Sequence, residues 1–220
     1  MTNVAELRRI EAGHRVYTPL TLRAYDCFVL GLSNRLLWRC PTTELLHHYQ
    51  RNIGRRHLDV GVGTGYFLDK VRWSVPQPEV TLLDLSIHCL HAASARIARL
   101  APRTVLANVL DPLPPMEPFD SVGLSYVLHC LPGGMEQKVV VFDNLKPVIR
   151  RGSRLFGATI VQGLPERSFT AQAVLNFYNR KGIFSNADDT LETLEVELKR
   201  RFDHVKVSLI GTVALFEVVT

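Results

Sequence analysis

The sequence predicts an α/β fold, a doubly wound sheet that is parallel over most of its width, and three observations predict it. From about residue 55, short β-branched runs alternate with longer stretches of helical period, the pattern of a parallel sheet covered by helices. A glycine-rich run, Asp59-Val60-Gly61-Val62-Gly63-Thr64-Gly65, stands between the first such strand and the first such helix. The last two strand-like runs are separated only by Gly211-Thr212, the length of a tight hairpin connection.

Residues 1–54 precede the sheet and read as a helical cap, with Asp26 to Leu37 and Thr43 to Ile53 as its stronger segments and Pro19 and Pro41 as breaks. His57 to Val60 is the first strand, and Phe67, Leu68 and Val71 begin a helix at three- and four-residue spacing. Val80 to Leu83 is the second strand. Ser86 can cap the following helix, whose apolar face is Ile87, Leu90, Ala93, Ile97 and Leu100. Val105-Leu106 and Ser121 to Ser125 give two more strands, Lys138 to Val148 a helix, and Arg154 to Val161 a fifth strand entered through Gly152 after the helix end. Asp188 and Asp189 open a late helix with Leu191, Leu194, Leu198 and Phe202 inward, and Lys199 to Arg201 close it, so its charges complement its dipole. Val205 to Ile210 and Val213 to Val219 form the final hairpin. One domain accounts for the chain: a cap over 1–54, the half carrying the glycine run over 55–162, and a late segment, helix and hairpin over 163–220.

Composition narrows the function classes. Of 220 residues, 46% are hydrophobic, enough for a sizeable core and against disorder. The longest stretch free of Asp, Glu, Lys and Arg, Ser121 to Met135, holds a His and a Pro-Gly-Gly and is shorter than the ~18 apolar residues of a membrane span. Arg8, Arg9 and Glu11 occupy the place of a signal peptide's apolar core, so a cytoplasmic location is expected. Cys27, Cys40, Cys89 and Cys130 are far apart, without a C-x-x-C pair, and read as buried thiols, with no metal site expected. The net charge of +5 admits an acidic partner, but pairs such as Arg55-Arg56, Arg150-Arg151 and Arg200-Arg201 are dispersed at element ends, which disfavours nucleic acid. The oligomeric state is left open.

The glycine run carries the chemistry. A tight turn needs positive φ there, and a Cβ would block a ligand lying on the backbone. Its spacing differs from the G-x-G-x-x-G dinucleotide fingerprint. Asp84 ends the next strand roughly 20 residues on, where a doubly wound fold places an acid to accept from a ribose. Together they mark a nucleoside site.

These residues resemble the class I S-adenosylmethionine-dependent methyltransferases. The resemblance rests on Asp59 to Gly65, on Asp84-Leu85-Ser86 followed by Cys89-Leu90, on Asn108 after the third strand, and on the run from Phe119 to His129. It implies a Rossmann-like seven-stranded sheet with one antiparallel strand, and S-adenosylmethionine as cofactor. It further implies that Asp59 with the backbone of Gly61, Gly63 and Gly65 holds the amino-acid end, that Asp84 binds the ribose, and that the adenine lies between Leu85 and Asn108-Val109. Asn108 stands where many members have Asp, and Cys89 replaces a common Met; either substitution keeps the local chemistry.

Ser125 and Tyr126 close the fourth strand, the place for chemistry in such sheets. The Asn/Asp/Ser-Pro-Pro-Tyr/Phe run of nucleobase amino-methylating members is missing at this point, where Ser125-Tyr126-Val127-Leu128 stands. Because the sulfonium methyl is already activated, the expected mechanism is in-line displacement governed by proximity and orientation, with His129 as candidate general base. Tyr17, Tyr25, Tyr126, His129 and Tyr178 are the candidate pocket residues, drawn from the cap, the fourth-strand end and a Glu166 to Asn186 insertion. A small-molecule acceptor, aromatic or a secondary metabolite, is expected, since no nucleic-acid module is appended. The alternatives are an RNA or protein methyltransferase of the same fold, a cofactor-binding protein that catalyses a non-methylating reaction, and, less well matched, a nicotinamide oxidoreductase.

Overall fold

A computed structural model describes residues 30–31, 33–164 and 167–220. Tyr17, Tyr25, Cys27 and residues 26–29 and 32 of the expected Asp26 to Leu37 helix lie outside the described residues; within them that segment contributes a helical turn over Asn34–Leu36. The elements that follow are α1 (Thr42–Asn52), β1 (Arg56–Val60), α2 (Tyr66–Lys70), β2 (Glu79–Asp84), α3 (Ile87–Arg96), β3 (Arg103–Leu106), β4 (Phe119–Ser125), α4 (Met135–Lys138), α5 (Val140–Leu145), β5 (Ile149–Ile160), α6 (Phe169–Arg180), α7 (Leu191–Lys199), β6 (His204–Ile210) and β7 (Val213–Val219).

The seven strands form one sheet in the order β3-β2-β1-β4-β5-β7-β6. Strands β1 to β5 pair in parallel. The hairpin inserts β7 antiparallel between β5 and β6, so β6 again runs with the others. Central strands are covered on both faces and are almost continuously buried, as parallel strands must be. On β5 the alternation separates two layers. Leu155 packs with Phe142, Leu145, Leu194 and Leu198 of α5 and α7, whereas Phe156 joins Tyr49, Leu68, Leu90 and Ala93 of α1, α2 and α3. A third cluster sets Trp38, Cys40 and Leu45 with Ala171 and Leu175 of α6 against Ala158 and Leu215. Thus α1, expected as part of a cap, is a structural layer of the sheet. Cys40 and Cys89 are buried and Cys130 is half-buried, all as free thiols.

Several elements depart from the sequence reading for identifiable reasons. The expected helix over 138–148 is broken into α4, α5 and a 3-10 turn, Lys146–Val148; Pro147 lacks the N–H that would continue α5. Gly152 does not follow a helix end: β5 begins at Ile149, and Gly152, at φ 78°, lies in a stretch where the register with β4 shifts, a bulge that needs its left-handed backbone. Ile87 is 44% exposed, and Cys89 takes the inward position at the start of α3. Thr190, not Asp188 or Asp189, caps α7 by accepting from the Thr193 amide at 3.1 Å; Asp189 is fully buried beside Lys138.

Strand β5 packs tightly at Gly157, where a Cβ would stand 2.2 Å from the Leu124 carbonyl oxygen and 2.5 Å from Phe216 Cζ. Gly157→Ala is expected to cost about 1 to 3 kcal/mol by overpacking, read as a lower urea midpoint; unchanged stability would show that β4 and β5 can part locally.

Candidate active site

Strand β1 delivers the chain into a turn whose three glycines all have positive φ, 65° at Gly61, 54° at Gly63 and 70° at Gly65. Each serves a different end. A Cβ on Gly61 would meet Val127 Cγ2 at 2.4 Å, and one on Gly65 would meet Ala93 Cβ of α3 at 3.0 Å, so these two permit close packing. A Cβ on Gly63 would meet nothing within 4 Å; it would project into the cleft that the turn borders. The backbone there leaves open space on the cleft side.

The cleft runs over the carboxyl ends of β3, β2, β1 and β4. Of the expected cofactor residues, Asp59, Gly61, Gly63, Asp84, Leu85, Asn108, Val109 and Ser125 line it, as does Tyr126. Gly65 does not, because it faces α3. The Asp84 carboxylate accepts from the Ser86 amide at 2.8 Å through Oδ1 and from the Gly63 amide at 3.4 Å through Oδ2, so it bridges two cleft walls. Helix α3 has its own cap, Ser86, whose Oγ accepts from Cys89 N. Asn108 Oδ1 turns back to accept from Leu110 N at 3.1 Å.

The structure does not bring two expected pocket residues to the cleft. His129, the candidate base, is 3% exposed and sits behind the wall, its ring 4.5 Å from that of Phe184 and 5.5 Å from that of Tyr126. Its Nδ1 accepts from Ile160 N at 3.4 Å. Burial, and then the charge of Lys138, push its pKa down to about 3. It is a structural imidazole. Tyr178 packs against Phe184 in the third core cluster. Elsewhere in the insertion Phe169 is 88% exposed, and Ile183 is its one described lining residue. Sequence reasoning missed Leu30, Tyr66, Phe67, Cys130, Leu131 and Pro132, which also line the cleft.

It also missed the network that holds Asp59. Tyr49 Oη lies 2.7 Å from Asp59 Oδ1 and 2.8 Å from His57 Nε2, and His57 Nδ1 lies 2.8 Å from Ser121 Oγ, which accepts from Gly54 N at 2.7 Å. A carboxylate only accepts. Tyr49 must therefore donate to Asp59 and accept from His57 Nε2–H, and Ser121 Oγ completes the network at His57 Nδ1. Burial, with the Asp59 charge, raises the Tyr49 pKa well above its usual value and keeps that proton in place. Gly123 makes room, since a Cβ there would crowd Asp59 Oδ1 at 3.1 Å. The alternation of His57 and Asp59 on one strand face was the available signal; Tyr49, from another element, gave none.

The fold and the cleft together define an enzyme of the doubly wound class that binds a nucleoside cofactor at the carboxyl end of its sheet. A family model described as "Methyltransferase domain" matches residues 58–155. The chain is 40% identical over 96% of its length, and 96% of the relative's, to the physcion biosynthesis cluster O-methyltransferase of Aspergillus chevalieri. It is 35% identical to the demethylluteothin O-methyltransferase of Streptomyces thioluteus, with 93% and 89% covered. Among solved structures, the N-methyltransferase NodS of Bradyrhizobium japonicum with S-adenosyl-L-homocysteine superposes with a TM-score of 0.61 at 15% identity, covering 93% of this chain and 98% of that one, a likeness of fold. The chain belongs to the class I S-adenosylmethionine-dependent methyltransferases, and S-adenosylmethionine is its cofactor. It transfers the methyl group to a small-molecule acceptor.

Tyr49→Phe is expected to lower stability by about 1 to 3 kcal/mol, because Asp59 Oδ1 and His57 Nε2–H lose their buried partner; a urea midpoint equal to the parent's would remove the network from this account. For His129 the folded pKa lies below the unfolded value of 6.5. Its stabilising contribution is then complete above pH 6.5 and is lost as pH falls toward 3, by up to about 1.4 kcal/mol per pH unit. His129→Gln should show a shallower acid loss than the parent in urea titrations at successive pH values, and parallel curves would refute the shift.

Proposed function

We propose that the chain methylates a hydroxyl oxygen of a small, largely apolar acceptor such as a phenol or an enol. One observation carries this reading: the cleft has two chemically distinct halves. Its β2–β3 side presents Asp84 and Asn108, its centre presents Asp59 and the glycine backbone, and its β4 side is walled by Leu30, Cys130, Leu131, Pro132 and Ile183. In this reading Asp59 holds the amino-acid end of the cofactor, Asp84 accepts from its ribose hydroxyls, and Leu85, Asn108 and Val109 border the base. When bound, S-adenosylmethionine supplies an electrophilic methyl for in-line displacement. The apolar walls exclude water and fix the acceptor oxygen against that line, which accounts for most of the rate. Two relatives named as O-methyltransferases support oxygen as the acceptor atom. Among the described residues, no His or Lys lines the cleft, which favours an acceptor acidic enough to enter already ionised.

Calorimetric titration with S-adenosylmethionine and S-adenosylhomocysteine tests the cofactor half. Gly63→Val should abolish binding by filling the cradle, and Asp84→Ala should weaken it by about 1 to 3 kcal/mol through lost charge-assisted hydrogen bonds. Unchanged affinity in either would remove that residue from the site. Release of S-adenosylhomocysteine with phenols, and not with amines or thiols, is the expected outcome for the acceptor half; the reverse preference would overturn the assignment of oxygen.

A further inference from the structure

Behind the apolar half of the cleft lies an ion pair that neither the methyl transfer nor the core accounts for. Lys138, the last residue of α4, places Nζ 2.5 Å from Asp189 Oδ2, just before α7, and both side chains are 0% exposed. The ammonium also donates to the Ser185 carbonyl. The other carboxylate oxygen, Oδ1, has no hydrogen-bond partner among the described residues. A buried pair left short of partners is a poor source of stability, since desolvation of two charges opposes their attraction. Both groups show that opposition: burial lowers the Lys138 pKa and raises that of Asp189, each toward its neutral form.

What the pair does hold is a joint. Ser185 accepts from Lys138 through its carbonyl, donates its amide to the His129 carbonyl at 2.8 Å, and donates its hydroxyl to the Gly133 carbonyl at 3.4 Å. His129 and Gly133 bracket Cys130, Leu131 and Pro132, and Ile183 lies two residues before Ser185. Two of the three segments that wall the apolar half, 130–132 and Ile183, therefore meet at this one residue. Asp189 fixes the far side, accepting through its carbonyl from Gln162 N at 2.6 Å beyond β5. Neither Lys138 nor Asp189 lines the cleft.

We propose that the buried Lys138–Asp189 pair is a specificity device, in which both residues act as positioning residues that set the spacing between the 130–133 and 183–185 walls and so the size of acceptor admitted. The inference rests on the reading of the apolar half as the acceptor chamber. A charged clasp suits this task better than apolar packing, because its hydrogen bonds are directional and specify one loop geometry.

The test replaces both charges at once, Lys138→Met with Asp189→Leu, so that no lone buried charge remains. A thermal midpoint at or above the parent's is expected, with S-adenosylhomocysteine affinity in calorimetry within about threefold of the parent's. Amide hydrogen exchange at Cys130, Leu131 and Gly133 and at residues 183–186 should quicken at least roughly tenfold, while the glycine turn stays as protected as in the parent. With the phenols turned over by the parent, KM should rise about tenfold, kcat should change less, and selectivity between small and bulky phenols should relax. Unchanged exchange at both walls, or altered exchange with parental KM and selectivity, overturns the proposal. Should the double variant fail to fold, Lys138→Met with Asp189→Asn decides: it removes both charges and the ammonium's bond to the Ser185 carbonyl at nearly the parent's side-chain volume, and exchange at both walls equal to the parent's overturns the proposal. A parent that binds the cofactor but methylates no phenol defeats the functional reading separately, and the exchange measurement still judges the clasp.

Discussion

The reversal of strand order at β1 is the constraint on which the rest of the molecule depends. Because β1 pairs in parallel with β2 on one side and β4 on the other, the chain leaves their carboxyl ends in opposite directions and a crevice opens between the departing loops. The strand-end residues of the cleft follow from that geometry. Asp84 ends β2, the glycine turn leaves β1, and Ser125 ends β4, so residues far apart in the chain become neighbours without any one loop having to reach. The glycines then resolve the crowding that such convergence creates, Gly61 against Val127 and Gly65 against Ala93, and leave Gly63 open to the ligand.

Two buried polar systems flank this crevice, and they differ in satisfaction. In the Tyr49-His57-Asp59-Ser121 network each donor and acceptor at the shared contacts can be matched along one direction, and such a network rigidifies its surroundings. Its place is under the carboxylate that faces the cofactor side, where little freedom is wanted. The Lys138–Asp189 pair, with one oxygen unmatched, is energetically weaker and lies under loops. A rigid floor beneath the common ligand and a separately held wall beside the variable one is a reasonable physical division, since the first must be the same in every turnover and the second decides what enters.

How far the sequence could be read divides along the same line. The strand sequence, the hairpin and the glycine-acid pairing were legible because each is written in neighbouring residues: positive φ demands glycine, and a two-residue connection demands a tight turn. The same residues, with their resemblance, pointed to Asp59, Gly63, Asp84 and Asn108 as cleft residues. Residues whose roles depend on what folds over them were misread. Asp189 is locally indistinguishable from an acid that complements a helix dipole, and only the arrival of Lys138 from another element makes it half of an ion pair. His129 follows a strand end, where a base would be placed, but Phe184 and Thr159 close over it. Gly152 read as a helix stop because a bulge and a C-cap use the same backbone conformation.

Tyr126 shows how the two halves are joined. It is a non-glycine residue at φ 64°, a conformation that costs roughly 1 to 3 kcal/mol and persists only when its surroundings fix it. They do so from two directions: its amide donates to the Ala158 carbonyl at 2.7 Å, continuing the β4–β5 ladder, and its hydroxyl donates to Asn34 Oδ1 at 2.8 Å. Asn34 is fully buried and in turn donates to Thr42 Oγ1 at the start of α1. The strained turn at the end of β4 is thus secured by the sheet on one side and by the segment leading into α1 on the other. It turns the chain sharply between Ser125 on the cofactor side and Cys130 to Pro132 on the acceptor side. A left-handed residue here is the cheapest way to place both segments on one cleft, because an extended residue would carry β4 onward past the crevice instead of folding it back over the opening.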